Sequence, residues 1–135
     1  MGIRETYVGV DKMIENELQA LLDSWIEKYC PENKDDIIFL QFAKHNKYNY
    51  EGWTAYEHED WRRELRYAFI CMKPLYKNRP TLRKIVLWHE FCHAWCWCSI
   101  GATGHGWEFF KRIIQKPHLF LGQVGLAFVV PFLKG

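Results

Sequence analysis

No C-x-x-C pair occurs among the five cysteines of this 135-residue chain. Their number is odd. The spacing excludes a zinc ribbon and points to reduced thiols of a cytoplasmic protein rather than to a disulfide framework. Residues 1–11 agree, being polar and without the apolar core of a signal peptide. Charge of either sign is scarce in the balance, with 18 Lys and Arg against 16 Asp and Glu, or +2 formally. An overall field that weak announces neither a nucleic-acid nor a membrane partner. Repeats, linkers and low-complexity segments are missing too. The one long apolar run, 119–133, is short for a bilayer and is interrupted by Gly122, Gly125 and Pro131, so no transmembrane span is expected. It is expected instead to form a C-terminal helix or hairpin covering the core.

What is present describes one enzyme-like domain. With 49% of its residues hydrophobic, the chain can bury one sizeable core and not two. Met13, Ile14, Leu18, Leu21, Leu22, Trp25 and Ile26 recur at helical spacing and predict a helix over 11–29, ended by Cys30-Pro31. Apolar runs predict strands at 37–42, 50–56 and 66–72, with a turn at 44–49. A second helix is predicted over 81–99, where no Gly or Pro occurs before Gly101 and Thr81 offers an N-cap. Apolar residues cover it nearly all round, which marks it as buried. The expectation is an α+β fold built from an N-terminal helix, a small antiparallel sheet and a buried central helix.

That central helix carries His89-Glu90-Phe91-Cys92-His93. Residues four apart on a helix share a face about 6 Å apart along the axis, so His89 and His93 can hold one metal ion between them. Glu90 sits beside that face, close enough to take a proton from water activated by the metal. A charged residue in an apolar helix also needs a compensating partner, which a cation supplies.

A catalytic zinc takes three protein ligands, so a third is needed. The metzincin spacing would place Gly at 96 and His at 99, whereas this chain has Cys96 and Ser99. Cys96 shares the histidine face but lies about 10 Å along the axis from His89, too far for a common tetrahedral ion. His105 is the better candidate, because Gly101-Ala102-Thr103-Gly104 ends the helix and turns the chain back. Glu108, one turn further, is a rival ligand whose expected role is a supporting or surface carboxylate.

A helix bearing H-E-x-x-H, a short glycine-containing turn and then His105-Gly106-x-x-Phe109 resembles the SprT-like family of zinc metalloproteases. The likeness covers roughly residues 36 to 112. It implies a zincin-like fold, Zn²⁺ held by His89, His93 and His105, Glu90 as general base, and protein substrates, including proteins bound to DNA. Two departures stand out: the four-cysteine ribbon that often follows the family's protease core is missing, and the turn from His93 to His105 is short. Two other classes fit the same residues. One is a zinc-stabilised binding module without turnover, against which the retained Glu90 argues. The other is a nucleic-acid-binding accessory protein using the basic run Arg62, Arg63, Arg66, Lys73, Lys77, Arg79, Arg83 and Lys84 together with its aromatics. That run is read as a solvated face balancing the acidic cluster Glu57-His58-Glu59-Asp60.

Overall fold

The computed structural model describes residues 3–42, 52–59, 62–72 and 79–129. Helix α1 (Ile3–Tyr29) buries Leu18, Leu22, Trp25 and Ile26, the i, i+4, i+7, i+8 stripe of an amphipathic helix. It begins eight residues before the expected start at 11. Its first turns hold no proline and one glycine, Gly9, whose cost of about 1 kcal/mol is too small to stop a helix already anchored downstream. Pro31 then opens a single 3₁₀ turn, Pro31–Asn33.

Strands β1 (Ile37–Phe42), β2 (Gly52–Glu59) and β3 (Arg62–Met72) form one sheet in the order β1-β3-β2. The sheet is mixed, which corrects the expected antiparallel one. β1 runs parallel to β3, with Ile37 opposite Ala68, while β2 is antiparallel to β3, with Thr54 opposite Ile70. Connection length explains the difference. Only residues 60–61 separate β2 from β3, so those two strands must be antiparallel neighbours. The nine residues 43–51 between β1 and β2 are long enough to reach opposite edges. The turn expected at 44–49 lies outside the described residues. β2 also extends to Glu59 and β3 starts at Arg62, so Glu57 and His58 of the acidic cluster are strand residues.

Along β3, Ala68, Ile70 and Met72 turn alternate side chains into the core. On β1, Ile37 and Phe39 do the same while Ile38 and Leu40 face outward. The Phe39 amide on this edge strand donates to Gln19 Oε1 of α1 at 3.1 Å, which satisfies a backbone group that would otherwise invite another strand.

Helix α2 (Pro80–Ile100) is the axis of the molecule. It packs against all three strands and against α1, α3 (Trp107–Ile113) and α4 (Pro117–Val129). This wrapping accounts for apolar residues on every side of it. Its N-cap is Arg79 rather than Thr81, because Pro80 takes the first helical position, where its missing N–H is harmless. Toward α1 the contact is aromatic: Trp25 meets Trp88 edge-on at 5.2 Å, and Tyr29 meets Trp95 at 5.2 Å. Trp88 is fully buried, and its indole N–H donates to the Ile113 carbonyl at 2.9 Å, tying α3 to α2. Residues 117–129 form α4, which places Leu119 of the apolar run in the core; residues 130–135 lie outside the described residues. Among the described residues no helix is long and apolar enough to cross a membrane.

Candidate metal centre

His89 and His93 stand on the buried face of α2, one turn apart. Gly101 ends that helix in the left-handed region, at φ 70°, and Gly104 adds a second positive φ of 81°, conformations open to glycine at little strain. The chain reverses across these two residues and delivers the exposed His105 to the helix face, just before Gly106 caps α3.

The three imidazoles converge. Their Nε2 atoms form a nearly equilateral triangle, with His93 3.2 Å from His89 and 3.1 Å from His105, and His105 3.2 Å from His89. Three ring nitrogens cannot all satisfy one another by hydrogen bonding, since each is either donor or acceptor. They can all serve one cation. Metal–nitrogen bonds of 2.0–2.1 Å in a tetrahedron place ligand atoms about 3.3 Å apart, so the donors fit such an ion with small adjustments. Phe109, arriving on α3, stacks on His93 at 4.3 Å and touches the His89 and His105 rings at 5.0 Å each. One apolar ring thus touches all three imidazoles.

Glu90 is fully buried, and burial pushes its carboxyl up from 4.5 to about 8. A hydrogen bond from β2 opposes that rise. Thr54 Oγ1 lies 2.8 Å from Glu90 Oε1 and 3.1 Å from the Glu90 carbonyl oxygen. With Glu90 ionised, the hydroxyl donates to the carboxylate. With Glu90 protonated, the acid donates to the hydroxyl, which donates in turn to the backbone carbonyl. Thr54 therefore holds Oε1 in both states, while Oε2 has no hydrogen-bond partner among the described residues. Gly52 lets the strand come this near: a Cβ there would stand 2.7 Å from Val86 Cγ1 and 3.2 Å from Glu90 Cγ. Tyr56, further along β2, is held protonated by burial and by the Glu90 charge.

Sequence reasoning brought His89, Glu90, His93 and His105 forward and missed Thr54 and Gly52. A threonine in a strand carries no signal of its own. Gly52 did carry one, because glycine inside a strand marks a close backbone approach.

The remaining candidates fall elsewhere. Among the described residues the metal-competent cluster consists of the three histidines alone, without Cys96 or Glu108. Glu108 pairs with Lys111 at 2.8 Å and Arg112 at 2.9 Å within α3, which lowers its pKa, and it acts as a local helix ion pair. All five cysteines are free and buried. Burial raises every one of these thiols, Cys71 to about 11 and Cys30 and Cys98 to about 12, so none supplies a ready thiolate. Within the basic run, Arg83 lies 3.6 Å from Glu17 of α1 with only 11% of its side chain exposed, and so braces two helices. The side chains of Arg62, Arg63, Lys73, Lys77, Glu59 and Asp60 lie outside the described residues.

Comparison of the chain with family models, with curated proteins and with solved structures gives no match.

Proposed function

We propose that the protein is a zinc-dependent endopeptidase of the SprT-like kind, with His89, His93 and His105 as ligands and Glu90 as general base. The observation that carries this reading is the closed triangle of imidazole nitrogens with a buried, strand-braced carboxylate next to it on the same helix. A purely structural site needs four closed ligands and no base. Bound there, Zn²⁺ would polarise the scissile carbonyl and lower the pKa of water toward 7. Glu90 accepts the proton of that water through its unpartnered oxygen and passes it to the leaving amine. Thr54 keeps the other oxygen in place throughout. Burial raises the Glu90 carboxyl in the metal-free protein, and a cation bound beside it would favour its charged form, the form that accepts a proton.

β2 is an edge strand of the sheet, and an extended peptide adding along it would pass directly over Glu90 and the ligands. The substrates the sequence resemblance implies are proteins, including those associated with DNA, and the cysteine pattern points to the cytoplasm as the place of action. Glu90→Gln tests the reading: it keeps shape and hydrogen bonding, so zinc content stays the same while cleavage of an unfolded protein falls by roughly 10²–10⁴-fold. A zinc-replete variant as active as the wild type would remove Glu90 from the chemistry. A zinc-replete wild type that cleaves no protein would leave a metal-stabilised binding module.

A further inference from the structure

Beyond His93 on the same side of α2, one turn on, stands Trp97. Its position is fixed by its indole N–H, which donates to the Glu57 carbonyl of β2 at 3.0 Å, and by Tyr56 at 5.3 Å. It floors a cleft of about 270 Å³ lined by His58, Arg66, Trp97, Ile100 and Gly101. That volume lies just below the range of drug-sized sites and suits a single side chain. The Arg66 guanidinium lies over the indole, 5.8 Å from its ring. Gly101 makes room for it, since a Cβ there would stand 3.0–3.1 Å from guanidinium atoms. Among the described residues no carboxylate forms an ion pair with Arg66. His58, directly opposite Arg66 across the β2–β3 pair, lines the same cleft. Its strand neighbour Glu57 projects from the other face of β2. The cleft thus offers a planar, permanently charged fork and an aromatic floor, the chemistry that recognises a carboxylate bidentately.

Its location says what presents that carboxylate. Thr54, which braces the base, and His58, which lines the cleft, are four residues apart on β2, or about 13 Å of extended chain. A peptide lying along β2 with its scissile bond at Glu90 therefore brings the side chain four residues away over Trp97. We infer that this cleft receives an acidic side chain of the peptide substrate, Asp or Glu, at that fixed distance from the bond cut. The inference names a substrate preference and rests on the peptidase reading.

The test uses the zinc-loaded 135-residue chain and two unstructured peptides differing only by Glu or Gln at that position, cut sites being mapped by mass spectrometry. The expected result is a kcat/KM roughly tenfold higher for the Glu peptide. Arg66→Gln should erase that preference, and Arg66→Lys should keep part of it. A role for Arg66 confined to holding Gly101 and Trp97 together would move stability and leave the Glu-to-Gln ratio intact. Equal rates for the two peptides, or an unchanged ratio in Arg66→Gln, overturn the inference. If neither peptide is cut, the peptidase reading fails and binding decides about the cleft, followed by the Arg66 Nε–Hε signal in ¹H–¹⁵N NMR spectra. A shift with the Glu peptide and none with the Gln peptide sustains an acidic-side-chain site. A shift with a single-stranded oligonucleotide and with neither peptide overturns it in favour of nucleic acid.

Discussion

In the metal-free protein the buried Glu90 carboxyl should make folding stability fall as pH rises. Its pKa is 4.5 in the unfolded chain and about 8 in the folded one, so between those values the folded state binds the extra proton. The stabilisation is complete below pH 4.5 and is lost as pH climbs through 8. Across the whole window a rise of this size amounts to about 5 kcal/mol, and about 3–4 kcal/mol of it falls between pH 5 and pH 8. That is a large share of a domain's total stability. Other ionisable groups add to any pH dependence, so the quantity to measure is a difference: urea unfolding of wild type and Glu90→Gln, both in chelator, at half-unit steps from pH 5 to 8. Glutamine stays neutral, and wild type minus variant isolates the carboxyl. The difference should swing against the wild type by about 3–4 kcal/mol as pH rises. A difference flat to within about 1 kcal/mol would refute the burial argument. Repeating the series with zinc should shrink the swing, since a divalent cation beside the carboxylate favours its charged form.

Three further expectations concern neighbouring residues. His105→Ala should cut zinc content well below one ion per chain by atomic absorption after dialysis, whereas Cys96→Ser should retain it; equal retention in both would exclude His105 as a ligand. Thr54→Val removes the bond that lowers the Glu90 pKa, so the alkaline-going rise in kcat should move to higher pH and kcat should drop by roughly tenfold with KM little changed. An unshifted pH profile would leave Thr54 a merely structural residue. Gly52→Ala drives a Cβ to within 2.7 Å of Val86 Cγ1 and should cost about 1–3 kcal/mol in urea unfolding; a neutral outcome would mean that β2 and α2 separate at no cost.

The helix bearing the motif could be read from the sequence because its signals are local: no Gly or Pro from 81 to 99, apolar residues on every face, a glycine stop. His105 could be read because two glycines so close to H-E-x-x-H leave the chain little choice but to double back. Sheet pairing was less accessible. Whether β1 neighbours β2 or β3 depends on the length of one connection and on which strand has both faces covered, and alternation within a strand reports neither. The start of α1 escaped for a similar reason, since a helix anchored at Leu18 and Leu22 extends through residues with no strong preference. Thr54 meets Glu90 only across 36 positions of sequence. Arg83 looks like one more surface cation until Glu17 is found beside it.

The five buried thiols give the molecule a built-in gauge of its own opening. With pKa values raised and sulfur atoms shielded, they react with alkylating reagents only from molecules that have come apart around them. Cys92 and Cys96 lie on the helix that bears His89 and His93, whereas Cys71 sits on strand β3. Labelling read position by position therefore distinguishes loosening of α2 from whole-molecule unfolding, and the gap between those rates with and without added zinc measures how firmly a bound ion would hold α2 to the turn carrying His105.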